Sequence, residues 1–240
     1  MMFDAVFFDS GGTLYGATGG PDPSPREVAN GRADRVFALM QGMDVAVDDR
    51  ELAGAIERAE ESCRRLHGAG ANYLRLIRAV VDDLGLPVGP EVAACLADAY
   101  AGPRYASWLF PGTVEAVRKL DEAGYRMGVI ANTEWPGFCM DRAFAGVGLL
   151  EFFGIRLYSG DLGVEKPDVA IFRHAERLAG LEGGRLLYVG NDPEKDIAGA
   201  AAAGWATAYR KVGPDDSAGA DFEFLHIDEL AEYCLAGPGR

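Results

Sequence analysis

The sequence predicts an α/β protein: a doubly wound parallel sheet with an α-helical domain inserted after its first strand. Three observations predict it. Short apolar runs stop at polar or glycine-rich turns and give way to helical patterns, as strands buried on both faces and joined by crossover helices do. Residues 16–107, between the first two runs, carry helical periodicity and almost no strand signal. The 240-residue chain is 49% hydrophobic and 25% charged, the balance of a folded globular protein rather than a disordered one.

The first strand is expected over residues 3–8, stopping at Asp9-Ser10-Gly11-Gly12-Thr13. Four helices follow over 26–40, 48–66, 72–84 and 90–100, punctuated by Gly and Pro. This is far longer than the about ten to twelve residues a crossover needs, so 16–107 is read as an inserted helical cap on a core made of 1–15 and 108–240. The stretches 19–25 and 101–104, rich in Gly and Pro, are its expected hinges. The second strand falls over 125–131 and ends at Asn132-Thr133, with weaker strands over 154–159, 186–190 and 205–210. Between them run helices over 113–123, 168–179 and 196–203, each followed by a glycine, the middle one preceded by Pro167.

Charge and composition exclude several classes of function. With 23 basic and 37 acidic residues the formal net charge is −14, which argues against nucleic acid and against an anionic membrane surface as partners. No segment has the length of a membrane span, and the N-terminal stretch lacks a basic flank, so a cytoplasmic protein is expected. Cys63, Cys95, Cys139 and Cys234 are too far apart for a Cys-x-x-Cys site and read as reduced thiols. His67, His174 and His226 follow no ligand spacing.

In a parallel sheet the carboxyl ends of all strands share one edge, where ligands bind. Asp9, Asn132, Lys166 and the group Asn191, Asp192 and Asp196 all follow strand ends and should converge there. Two glycines after Asp9 let backbone N–H groups approach an oxyanion. Carboxylates suit the hard cation Mg2+, and a lysine neutralises an anionic substrate, so the predicted partner is a small anionic molecule and the predicted cofactor Mg2+.

The segments Asp9-Ser10-Gly11-Gly12-Thr13-Leu14, Ile130-Ala131-Asn132, Lys166-Pro167-Asp168 and Gly190-Asn191-Asp192-Pro193-Glu194-Lys195-Asp196 stand in the order and spacing of the haloacid dehalogenase-like (HAD) hydrolases, which the whole chain resembles. The resemblance implies a Rossmann-like core with a first-position cap. It makes Asp9 the nucleophile of an aspartyl intermediate and Lys166 the group that holds it. Ser10, Gly11, Gly12, Thr13, Asn132 and Thr133 would contact the phosphoryl group. Asp9, the carbonyl of Gly11, Asn191, Asp192 and Asp196 would bind Mg2+.

Two positions depart from that pattern. Gly11 stands where phosphatases of the family carry a second Asp, the general acid/base, and Ala131 stands where they carry Ser or Thr, with Thr133 two residues on. Glu134, Tyr15 and His67 are the titratable candidates to replace the missing acid. The function expected is Mg2+-dependent hydrolysis of a small phosphorylated metabolite with a weakened acid/base step. A carbon–halogen hydrolase and an inactive binding protein are the alternatives. Phosphonate cleavage through a cap lysine is argued against, because the chain's four lysines are 119, 166, 195 and 211 and none lies in the insertion. Its arginines are numerous, Arg26, Arg32, Arg35 and Arg64 among them.

Overall fold

Six strands make one sheet in the order β3-β2-β1-β4-β5-β6, every neighbouring pair parallel. They are β1 (Ala5–Phe8), β2 (Arg126–Ala131), β3 (Ile155–Tyr158), β4 (Leu186–Gly190), β5 (Ala206–Arg210) and β6 (Phe222–Phe224). The computed structural model describes residues 1–16, 25–103 and 108–236, with only the backbone for 25–30. Residues 19–24 and Arg104 of the expected hinges, and the side chain of Arg26, lie outside the described residues.

Every residue of β1 and β4 is buried, which is why both read as uninterrupted apolar runs. Val6 and Phe8 face one apolar layer while Ala5 and Phe7 face the other. In the second layer Phe7 packs on Trp205 with ring centroids 5.0 Å apart, and Phe172 meets Tyr188 edge-on at 5.2 Å. That layer is closed by α8 (Val169–Ala179), capped by the Asp168 side chain and ended by Gly180.

Four helices separate β1 from β2: α1 (Pro25–Gly42), α2 (Asp49–His67), α3 (Tyr73–Asp83) and α4 (Pro90–Ala101). Their starts follow from capping chemistry. Asp48 accepts from the amides of Arg50 and Glu51, Asn72 accepts from Arg75, and Pro90 opens α4. Val36, Met40, Leu52, Ile77, Val80, Leu96 and Tyr100 are fully buried, and this interior continues without a break into the layer under Val6 and Phe8. The insertion meets the sheet at the loops after β2 and β3. There the Tyr73 amide donates to the Glu134 carbonyl (2.9 Å) and the Asn72 amide nitrogen Nδ2 to the Gly160 carbonyl (2.9 Å).

The remaining helices are α5 (Thr113–Glu122), α6 (Gly137–Gly146), the single turn α7 (Ser159–Leu162), α9 (Gly199–Ala202) and α10 (Ile227–Ala236). Besides the single turn α7, three elements go beyond the sequence expectation. The three-residue β6 exists because β5 offers it a partner, α10 packs against α5, and α6 starts behind Pro136 with glycines at both ends. The helix expected over 196–203 begins earlier, with a π-helical turn over Pro193–Ala198 that runs into α9.

Candidate active site

Asp9, Lys166 and Asp196 come together at the carboxyl edge of the sheet. Asp9 leaves β1, its amide held by the Val189 carbonyl of β4 (2.8 Å). Lys166 arrives from the loop beyond β3, and both its backbone groups are fixed by one side chain. Asn132 Oδ1 accepts from the Lys166 amide (2.9 Å), and Asn132 Nδ2 donates to the Lys166 carbonyl (2.8 Å). The ammonium then uses all three donors: to Asp9 Oδ1 (2.8 Å), to Asp196 Oδ1 (2.6 Å) and to the Tyr188 hydroxyl (2.6 Å). Tyr188 passes its own proton to the Ile130 carbonyl (2.7 Å). Lys166 and Asp196 are almost completely buried, so this is a desolvated charge cluster, held together because every donor has an acceptor.

Burial sets the protonation tendencies. It raises the Asp9 carboxyl, with the Asp196 charge adding to the rise and the Lys166 ammonium working against it. For Lys166 burial pulls downward, but the Asp9 and Asp196 carboxylates outweigh it and the ammonium is held above the usual lysine range. Burial pushes the Tyr188 hydroxyl well above the ordinary tyrosine value, so it stays a donor.

Asp9 Oδ2 is the oxygen turned away from the lysine. Its side-chain contact is the Thr13 hydroxyl at 3.5 Å, at the limit of a hydrogen bond, and that hydroxyl has a better acceptor in Asn191 Oδ1 at 3.1 Å; the Ser10 amide also bonds the Asp9 carboxylate. The loop beneath is wound tightly: the Gly12 amide donates to the Tyr15 carbonyl (2.7 Å), and Gly12 sits at φ +82°. A Cβ there would also lie 2.5 Å from the Asn191 side-chain amide, so glycine is required twice over. Arg210, at the end of β5, donates to the Gly12 carbonyl (3.0 Å) while its guanidinium lies on the Phe110 ring at 3.5 Å.

Several residues expected to touch substrate or metal have other work here. Asn132 is engaged at both ends by the Lys166 backbone, so it positions the lysine instead of facing a phosphoryl group. Asp196, expected as a metal ligand, has its second oxygen taken by the amides of Asn191 (3.0 Å) and Asp192 (2.9 Å). Its carboxylate therefore ties the lysine to the loop after β4. Asp192 caps the following turn through the amides of Glu194 and Lys195 and pairs with the Lys195 ammonium (3.1 Å). The Lys195 contacts hold its carboxyl below the usual range although partial burial opposes them. Thr133 Oγ1 accepts from the Trp135 amide (3.0 Å), which leaves its own hydroxyl hydrogen for another acceptor. Ser10 Oγ accepts from the Tyr15 hydroxyl (3.2 Å).

The three candidates to replace the missing acid are separated by the fold. Glu134 is paired with Arg64 (3.3 Å), and His67 is exposed at the end of α2. Tyr15 lies against Gly11: a Cβ on that glycine would meet Tyr15 Cε2 at 3.8 Å. Sequence reasoning missed Tyr188 and Arg210. A lone tyrosine in the run Leu-Leu-Tyr-Val-Gly is the only trace the first leaves, and an arginine at a strand's carboxyl end the only trace of the second.

A family model described as haloacid dehalogenase-like hydrolase matches residues 3–204. The chain belongs to the haloacid dehalogenase-like hydrolase family. Among the relatives of this HAD-like hydrolase is a glyceraldehyde 3-phosphate phosphatase of Methanopyrus kandleri, 26% identical over 99% of this chain and 94% of that protein. A phosphoglycolate phosphatase of Rhodobacter capsulatus is 30% identical over 89% of each. The 2-haloacid dehalogenase of Pseudomonas syringae pv. Tomato has a solved structure that superimposes with a TM-score of 0.60 at 23% identity, covering 98% of this chain and 99% of that one. That likeness carries the α/β fold of the HAD-like hydrolase and nothing finer.

Proposed function

We propose that this hydrolase is a phosphatase of small phosphorylated metabolites, with Asp9 as nucleophile and residues 16–107 as the cap over the site. The observation that carries the reading is the buried Lys166 ammonium, which holds Asp9 by one oxygen and leaves the other turned away, toward the Thr13 hydroxyl. Asp9 Oδ2 attacks phosphorus in line, an aspartyl phosphate forms, and the ester oxygen departs with a proton. Water then attacks the acyl phosphate, releasing phosphate and restoring Asp9. Lys166 orients the carboxylate through both steps. Thr133 offers a hydroxyl donor to the transferred group, and Thr13 offers a second when its hydroxyl turns from Asn191.

The donor chemistry fits Mg2+. Asp9 Oδ2 and Asn191 Oδ1 are hard oxygens that both meet the Thr13 hydroxyl beside the Gly12 turn, and with the Gly11 carbonyl and Asp192 they would supply the oxygens such a cation takes. Asp196 would stand behind this set, fixing Lys166 and the 191–192 amides. Bound there, the cation would neutralise charge on the phosphoryl oxygens.

Gly11 keeps the backbone donor and removes a family carboxylate, so the acid/base step is weak, and Tyr15 is the neighbour that geometry favours for it. Carbon–halogen hydrolysis is the second reading, favoured by the absence of a carboxylate at position 11. The reading places the enzyme in the cytoplasm, where its four unpaired cysteines are stable as thiols. Incubation with Mg2+ and a panel of phosphate monoesters and 2-haloacids, wild type beside Asp9→Asn, tests it. Phosphate release in wild type and not in the variant is the expected result. Halide release without metal would favour the second reading, and neither release, with retained binding of a phosphate mimic, a binding protein.

A further inference from the structure

The sheet fixes the backbone at the end of β5 from both sides, since Tyr209 pairs with Gly190 of β4 and Arg210 with Phe224 of β6. The Arg210 side chain leaves this anchored point as a half-buried cation without an anion. No carboxylate among the described residues is in salt-bridge reach of it, and burial alone acts on its guanidinium, which it pulls below the ordinary arginine value. A partly desolvated charge with no counter-charge is costly to keep. What it meets instead is a backbone dipole and an aromatic face. One nitrogen, Nη1, donates to the Gly12 carbonyl (3.0 Å), and the guanidinium carbon stands 3.5 Å from the centre of the Phe110 ring. The first contact is a charge-assisted hydrogen bond and the second a cation–π contact, and both are stronger for the burial.

Both partners belong to the loop that follows the nucleophile. That loop contains two consecutive glycines, whose backbone has the most freedom to lose on ordering. Its internal bonds are short-range: the Gly12 amide to the Tyr15 carbonyl (2.7 Å) and the Leu14 amide to the Ser10 carbonyl (2.9 Å). Arg210 adds a tie from 198 positions along the chain. Because a peptide unit is planar, holding the Gly12 carbonyl also sets the direction in which the chain enters Thr13. The Thr13 hydroxyl is the group that reaches Asp9 Oδ2 and Asn191 Oδ1. Phe110 is itself fixed to the loop, since its amide donates to the Leu14 carbonyl (3.1 Å) and its ring backs on Gly16, where a Cβ would stand 2.6 Å from Cζ. We propose that Arg210 is a positioning residue for hydrolysis: seated on Phe110, it clamps the Gly12 carbonyl and keeps Thr13 aligned with Asp9 and Asn191. This rests on the phosphatase reading of Asp9, and the test separates the two.

Wild type and Arg210→Met, which keeps the apolar stem and removes the cation, are compared on p-nitrophenyl phosphate with Mg2+. The expected result is that kcat and kcat/KM fall together by about tenfold to a hundredfold, the scale of a misplaced reacting group, while KM changes little. Hydrogen exchange gives a reading that needs no turnover. Amides of residues 9–16 should exchange about tenfold faster in the variant, as loss of a charge-assisted tie implies, while those of β4 and α8 keep their wild-type rates. Thermal unfolding confirms that the variant is folded; if it is not, the milder Arg210→Gln is read in the same way. An unchanged kcat, a KM that rises alone, loop exchange equal to wild type, or exchange that speeds up throughout the sheet would overturn the proposal. No phosphate release by the wild type, from this ester or from the panel above, would sink the phosphatase reading, and loop exchange would still decide whether Arg210 clamps Gly12.

Discussion

Removing the Lys166 ammonium would leave Asp9 and Asp196 as two buried carboxylates with a single missing cation between them. Lys166→Met is therefore expected to abolish turnover and to cost about 3–5 kcal/mol of stability, the range for breaking a buried pair from one side, read from denaturant midpoints. The direction of its shift fixes a pH dependence. Lys166 is held above the ordinary lysine value of 10.5, so its contribution is fully present below that pH and is lost as pH rises through the folded value. The stability gap between wild type and Lys166→Met should be level from neutral pH to about 10 and narrow above it; a gap that narrows on acidification would contradict the assignment. Gly11 makes the opposite kind of prediction. Its φ lies outside the glycine-only region, and a Cβ there would touch only Tyr15, at 3.8 Å. Gly11→Asp can thus be accommodated, and on phosphate esters it should raise kcat by about 10²-fold, the low end of what a general acid/base supplies. An unchanged kcat would mean that the acid step is not what limits this enzyme.

At the scale of elements, the site depends on how β4 passes into the helical turn behind it. Gly190 ends the strand where a Cβ would stand 2.3 Å from the Cβ of Asp196, an atom whose place the backbone fixes, so no rotamer change can relieve the crowding. Gly190→Ala should cost about 1–3 kcal/mol or more and reduce turnover together with stability, because Asp196 cannot move without releasing Lys166. Asp192→Ala tests the same junction more gently. Loss of a helix cap costs about 1 kcal/mol, and a drop in Mg2+ affinity beyond that stability change would assign the side chain to the cation as well. These elements were largely legible in the sequence, since β1 to β5 are apolar runs with both faces covered and the insertion's helices announce themselves by Asp48, Asn72 and Pro90. What was not legible was β6, three residues long with no alternation to read, and α6, whose flanking glycines hide its periodicity.

For the whole molecule, ligand linkage gives the broadest check. If Asp9, Gly11 and Asn191 hold Mg2+, metal at a hundred times Kd should stabilise the wild type by about 2.7 kcal/mol, read as a higher melting temperature, and chelation should remove the gain. The gain should be much smaller in Asp9→Asn, and equal shifts in both proteins would place the metal elsewhere. The candidate site was legible in part. Asp9 and Lys166 follow strand ends, and parallel topology brings strand ends to one edge whatever the details of packing. The roles of Asn132 and Asp196 were not legible, because a side chain's partners depend on angles and distances between loops far apart in the chain. Asn132 turns to the Lys166 backbone and Asp196 to the Asn191 and Asp192 amides, and nothing in their local sequence distinguishes that from facing a ligand. Nor could spacing reveal that Tyr188 completes the lysine's shell. The sequence by itself determined the sheet, the inserted helices, the family and the missing carboxylate at Gly11, since those are matters of pattern and residue identity along the chain. Only the tertiary structure decided which polar groups are already satisfied and which remain open, because that depends on three-dimensional pairing in a desolvated interior, where each donor and acceptor must find its partner.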